Sequence, residues 1–206
     1  MDENVLAAMA RWPDVPAAYG WLSLDGRGQL RLHPQGDSAK GTPGVAISHP
    51  GIQQFLRRNC AADERGCWYV QNGPQRAYIR LDAAPIILQR ASEGAGLQTH
   101  SGAPVNAVSH WWLDEAAGHL YAQTDAGPAR VDDRDLATLL TLLRADDDRA
   151  LIEVLEQGLP AQGLQGVNGG LTSAPAPFKP LAGRDAAEVL GFIRHPEAES
   201  GDCQGG

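Results

Sequence analysis

The stretch Cys67–Asp82, CWYVQNGPQRAYIRLD, constrains this chain more than any other part of it. Two runs of alternating apolar and polar residues flank Gly73-Pro74, and an antiparallel hairpin satisfies both the runs and the turn. Glycine takes the positive φ that a type II′ turn demands at its first corner, and proline takes the negative φ that follows. A loop of two residues or of four gives the same register: Gln71 opposite Arg76, Val70 opposite Ala77, Tyr69 opposite Tyr78 and Trp68 opposite Ile79. Strand side chains alternate, so Trp68, Val70, Ala77, Ile79 and Leu81 share a face expected to seek the core. Tyr69, Gln71, Arg76, Tyr78 and Arg80 share the opposite face, expected to point away from that core.

The same short-element grammar runs through the chain. Residues 1–11 read as a helix with Asp2 as N-cap, and the WPDVP segment at Trp12–Pro16 cannot continue it. YGWLSLDGRGQLRLH then places two apolar runs around a Gly-rich turn, a second hairpin. After a Gly/Pro loop at 34–44, Ser48 caps a helix carrying Ile52, Phe55 and Leu56 on one stripe, with Ile47 stapled on Ile52. Ninety residues later Trp111, Gly118 and Leu120 repeat the places of Trp21, Gly28 and Leu30, and Leu136, Leu139 and Leu140 repeat the helix stripe. Duplication of a hairpin–helix unit, 19–57 and 109–141, is the economical explanation. Pro85–Gln89 reads as a further strand, and a helix restarts after Asp146–Asp148 and stops at Gly158. Residues 1–157 are therefore expected as one α+β domain. Residues 158–182, rich in glycine and proline, read as a linker, and 183–206 as a short helix, about 184–194, with a mobile tail.

Several functions are excluded or weakened by what the sequence carries. A formal charge of −8 weighs against nucleic-acid binding. No segment approaches the roughly 18 consecutive apolar residues of a spanning helix, and the first twelve residues lack a signal peptide's basic flank. No membrane association is expected. Cys60, Cys67 and Cys203 cannot build a disulfide framework, and the spacing of the first two is not that of a zinc site, so a reducing cytoplasmic setting fits. Gly36–Thr42 has its lysine before the glycine, which is not a P-loop, and no Rossmann, G-x-S-x-G or H-E-x-x-H motif occurs. No metal or cofactor is expected.

Three histidines, His100, His110 and His119, fall within twenty residues, but one hairpin supplies at most two ligands on one face where zinc wants three or four. Charge is distributed unevenly. Residues 57–90 hold six arginines against three acids, a net +3, leaving −11 elsewhere. The two-tyrosine, two-arginine face lies in that basic segment and has the chemistry to stack on planar groups and to hold a carboxylate or phosphate in a fork.

The segments WPDVPAAYGWLSLDGRGQLRL and RRNCAADERGCWYVQNGPQRAYIRLD resemble a proteobacterial family of soluble proteins designated a domain of unknown function, over about Met9 to Leu143. QNGPQR is the most specific part of the resemblance. It implies no activity, ligand or catalytic residue. Cys60 departs from the aromatic residue expected there, which argues against a thiol role for it. The reading is an α+β fold of antiparallel hairpins covered by a few helices. Its function is a non-enzymatic cytoplasmic binding or regulatory module, with Tyr69, Gln71, Arg76, Tyr78 and Arg80 facing an acidic small molecule or protein partner. A small enzyme using His100, His110 or His119 as acid or base is the first alternative. A structural subunit of a homo-oligomer, with Trp111 or Trp112 at the interface, is the second.

Overall fold

A computed structural model describes residues 1–92 and 95–198. Cys203 lies outside the described residues. The chain forms two units, Met1–Ala83 together with the stretch from Gly191, and Ala84–Leu190.

In the first unit, α1 (Glu3–Arg11) leads into β1 (Ala18–Leu24), β2 (Leu30–Leu32) and β3 (Val45–Ala46). Then come α2 (Pro50–Arg58), β4 (Cys60–Ala62), β5 (Trp68–Asn72) and β6 (Gln75–Leu81). Asp25 closes the first hairpin by accepting from the N–H groups of Arg27 and Gln29, at 3.0 and 2.9 Å. The six strands form one sheet in the order β3-β2-β1-β6-β5-β4, with only β1 and β6 parallel. The expected register of the central hairpin holds: Tyr69 faces Tyr78, Val70 faces Ala77 and Gln71 faces Arg76, with Gly73 at φ +58°. Asp2 precedes α1, but its carboxylate binds Arg58 and Asn59 and makes no cap bond to the helix. His49, not Ser48, caps α2, its Nδ1 accepting from the Ile52 N–H.

The second unit contains β7 (Ile86–Arg90), β8 (Leu97–Thr99), β9 (Pro104–Val105), β10 (Val108–Asp114), β11 (His119–Thr124) and β12 (Gly127–Val131). It continues through α3 (Asp133–Leu142), β13 (Arg144–Ala145), α4 (Leu151–Gln157), β14 (Leu164–Asn168), β15 (Ala176–Pro180) and α5 (Ala186–Leu190). Its nine-stranded sheet runs β13-β14-β15-β10-β11-β12-β7-β8-β9. Trp111, Leu120, Leu139 and Phe178 are among the side chains sealed in its core. The chain is thus α+β with mixed sheets.

The two sheets share a plan. A three-strand meander, a helix and a second three-strand meander follow one another, and the last strand returns parallel beside the first: β6 beside β1, β15 beside β10. In the second unit α4 interrupts the later meander, and β7, β8 and β9 extend the sheet beyond β12.

Three further expectations are corrected. Residues 158–182 are not a linker, because they carry β14 and β15, and Phe178 is fully buried. Their glycines serve close packing: a Cβ on Gly163, at φ +76°, would stand 2.1 Å from the Phe178 carbonyl oxygen. Nor is 1–157 a single domain, since the boundary falls at Ala83/Ala84 and the chain from Gly191 belongs to the first unit. The last helix is shorter than expected, ending at Leu190.

Candidate functional site

The alternation on β5 and β6 assigns faces correctly but not exposure. Val70, Ile79 and Leu81 are buried as expected, and Trp68 is half-buried. The opposite face is covered as well: Tyr69, Gln71, Tyr78 and Arg80 are all buried, and only Arg76 is exposed. Period-two patterning reports which side chains share a side of a sheet and nothing about what lies over it.

Two irregular segments cover this face. From one side comes the loop 34–44, which crosses β1 where Gly20 sits at φ +83° in a break of the β1–β6 register. There a Cβ on Gly20 would meet the Gly36 carbonyl oxygen at 2.3 Å, and the Trp21 ring packs 3.5 Å from the place a Gly36 Cβ would occupy. Arg80 Nη1 donates to the Ser38 carbonyl at 2.6 Å, fastening the loop to β6. From the other side comes the C-terminal stretch. Ile193 forms a parallel bridge with Cys67, the Ile193 N–H donates to Gly66 O, and the Leu81 N–H donates to Arg194 O at 2.8 Å.

Between the two segments a cleft of about 310 Å³ remains. Its floor is Tyr19, Gly20, Tyr78 and Arg80; Gly36, Ser38 and Ala39 line it from the loop, and His195 to Ala198 from the C-terminal stretch. Tyr19 and Tyr78 stack at 4.7 Å with ring planes 7° apart, and Tyr69 meets Tyr78 edge-on at 5.7 Å. Arg80, 7 % exposed, pairs through Nη2 with Asp82 at 2.7 Å, and its buried Nε has no hydrogen-bond partner among the described residues.

The polar groups around the tyrosines satisfy one another. The Tyr78 hydroxyl donates to Asp63 Oδ2 at 3.0 Å. Asp63 also accepts from the backbone N–H groups of Cys67 and Arg65. Burial raises the Asp63 carboxyl, but these donors outweigh it and hold the group below the ordinary carboxylate range. Burial and the Asp63 carboxylate push the Tyr78 phenol up. Arg65 is held charged by hydrogen bonds to Tyr19 and Tyr78. Tyr78→Phe removes one of the Asp63 donors and leaves the stack intact, so it should cost about 1 kcal/mol in urea unfolding, whereas Tyr78→Ala, which also empties the cluster, should cost about 3 kcal/mol.

Of the other residues singled out, Arg76 lies outside the cleft with its guanidinium 4.8 Å above the Tyr69 ring. Gln71 bonds its own turn at the Gly73 carbonyl. The net +3 of residues 57–90 does not form one open patch: Arg58 pairs with Asp2, Arg65 with Asp63 and Arg80 with Asp82, while Arg90 belongs to the second unit. His110 and His119 share a face of β10–β11, but His119 stands opposite Asp114 and His110 opposite Gln123, four residues further along. His100 Nδ1 accepts from the Ile87 N–H. Among the described residues no group of three or more His, Cys, Asp or Glu is placed to hold a metal ion. Trp111 is a core residue, and Trp112 is half-buried against His110, their rings 5.2 Å apart. Burial pushes the Cys60 thiol up to about 12, which leaves it protonated and unreactive at neutral pH. Among the described residues no helix is long and apolar enough to cross a membrane.

The sequence did not point to Tyr19, Gly36, Ser38 or His195 as neighbours of Tyr78 and Arg80. Gly20 carried a usable signal, a glycine inside an otherwise regular strand pattern, which marks a close backbone approach.

Residues 1–197 match the DUF2944 family, described as protein of unknown function (DUF2946). No curated protein matches the chain. Among solved structures it is similar to a DUF1285 family protein from Silicibacter pomeroyi DSS-3, with 16 % identity and a TM-score of 0.45 over 78 % of this chain and 80 % of that one.

Proposed function

We propose, for a chain that belongs to the DUF2944 family of proteins of unknown function, a non-enzymatic binding or regulatory role in the cytoplasm, with the cleft over Tyr78 and Arg80 as the site for a small acidic ligand. The observation that carries this reading is a nearly buried arginine in the floor of a cleft beside a stacked tyrosine pair. A guanidinium there meets an anion at reduced dielectric, and a half-buried Tyr19 offers a ring to a planar group. Tyr69 meets Tyr78 edge-on beside the floor, and Gln71 and Arg76 lie on the same face outside the cleft. The free thiols of Cys60 and Cys67 fit the reducing compartment. The common plan of the two sheets supports an origin by internal duplication, extending the 19–57 and 109–141 correspondence through the later meanders.

The test is a titration of the full chain at pH 7.5 with benzoate, citrate and inorganic phosphate, repeated on Arg80→Met and Arg76→Ala. Removing a desolvated charge-assisted contact of about 1.5–3 kcal/mol should weaken the tightest of these by about 10- to 150-fold in Arg80→Met. Arg76→Ala, removing an exposed charge that lies outside the cleft, should change it by less than about fivefold. Equal weakening by both variants would place the anion on the outer surface and not in the cleft.

A further inference from the structure

Beneath the loop 34–44 lies a buried relay that the binding reading does not use. His33, 1 % exposed, follows β2 and points to the same side of the sheet as Ser23 and Arg80. Its Nε2 is 2.8 Å from Ser23 Oγ, itself fully buried, and its Nδ1 is 2.9 Å from Thr42 Oγ1 on the loop. Thr42 Oγ1 donates in turn to Asp37, at 3.3 Å to the carbonyl and 3.2 Å to the carboxylate. That outlet for the threonine proton fixes the direction of the chain. Thr42 accepts from Nδ1–H, and Ser23 donates to the Nε2 lone pair. The ring is sealed by backbone, since a Cβ on Gly44 would stand 2.8 Å from its Cε1 and Nε2. A serine, a histidine and an aspartate in line resemble a nucleophilic triad, but Ser23 and His33 are closed to substrate and do not line the cleft.

We propose that His33 is an acid-sensitive latch: while neutral, its ring ties Ser23 of the sheet to Thr42 of the loop, and on taking a second proton it releases the loop 34–44 and with it the cleft wall at Gly36, Ser38 and Ala39. A protonated ring has two N–H donors and no lone pair, so the Ser23 hydroxyl loses its acceptor inside the fold. The new charge also stands on a ring that the fold shields almost entirely from solvent. The groups that act on it are Arg80 of β6 and Arg31 of β2, which oppose it, and Asp37 of the loop and Asp82 after β6, which favour it. The two carboxylates are already engaged: Asp37, 3.8 Å from Nδ1, takes the Thr42 hydroxyl, and Asp82 takes Arg80. Arg31 is occupied by Asp25. Burial first and Arg80 second hold the closed-state ring below the ordinary imidazole value of 6.5. A ring released to water returns toward that value, so below it the open form binds more protons than the closed one and acid favours opening. The latch stands on this geometry alone; its use as a gate rests on the cleft being a ligand site.

The experiment needs no ligand. Amide exchange and histidine ring resonances of the full chain are followed by NMR from pH 7.5 to 5.0, with exchange corrected for its intrinsic pH dependence. The N–H groups of Gly36, Lys40 and Gly41, which donate to His33 O, Asp37 O and Ser38 O, report the loop. Those of Gln71 and Asp82, which donate to Asn59 O and Leu24 O, report the sheet. Loop protection should be lost as the His33 ring takes its second proton, following the midpoint of the ring resonances, while the sheet amides keep theirs. Thr42→Val, which cuts the ring from the loop, should show at pH 7.5 the low loop protection that the wild type reaches at 5.0. The latch is overturned if His33 stays neutral and the loop stays protected to pH 5.0. It is equally overturned if His33 titrates with loop protection unchanged, or if loop and sheet amides lose protection together. A working latch in a chain that binds none of the three acids at pH 7.5 would leave the latch standing and refute the ligand reading.

Discussion

Gly20→Ala should be the most damaging conservative substitution at the site, lowering the stability of the first unit by about 2–4 kcal/mol. A non-glycine residue at φ +83° is strained by about 1–2 kcal/mol. The added methyl would also stand 2.3 Å from a backbone oxygen of Gly36, an overlap that no side-chain rotation relieves. Urea unfolding followed by far-UV circular dichroism reads the loss, and the Trp21 ring gives the local readout, because it packs against Gly36. Gly41→Ala is the matched control: Gly41 also has positive φ, at +73°, but a Cβ there meets nothing within 4 Å. It should cost only the conformational strain, about 1 kcal/mol. If both variants lose the same stability, the close crossing of loop and strand is not what holds the loop down.

Arg80→Met should cost about 2–3 kcal/mol in the same measurement. The guanidinium donates to the Ser38 carbonyl and pairs with Asp82 from a buried position, and hydrogen bonds to charged groups are worth about 1.5–3 kcal/mol. The loss stays below that of a fully buried ion pair because the Asp82 side chain is 39 % exposed and water can take over its solvation. Methionine keeps most of the stem volume, so the effect reports the polar contacts. Arg76→Ala, which removes an exposed guanidinium over the Tyr69 ring, should fall within about 1 kcal/mol of wild type. A neutral Arg80→Met would mean that the Ser38 contact does not fasten the loop, and the cleft would lose its built wall.

What the sequence made legible follows the physics of each signal. The Gly73-Pro74 turn and the alternation on either side fix the β5–β6 register, because pairing and side-chain parity are local consequences of a tight turn. The hairpin at Asp25 was legible for the same reason. Covering was not. Tyr78 and Arg80 look like an open polar face until the loop 34–44 and the stretch from Gly191 lie over them, and neither segment has a hydrophobic period. The strands at Leu164–Asn168 and Ala176–Pro180 were hidden by glycine and proline, whose frequency suggests flexibility. Here Gly163 and Gly169 allow backbone to pass at distances no Cβ would permit. The parallel pairings of β6 with β1 and of β15 with β10 join segments far apart in the chain, which no local pattern encodes.

The proposed ligand reading has a small acidic molecule bound over Tyr19, Tyr78 and Arg80. Backbone and arginine side-chain shift mapping of the full chain at pH 7.5, against benzoate, citrate and inorganic phosphate in turn, tests it most directly. At least one of them is expected to shift the amides of Gly36, Ser38, Ala39 and Arg80 and the Arg80 Nε–H saturably, with Arg76 little changed. Saturable shifts confined to residues outside the cleft, or none with any of the three acids, would contradict it.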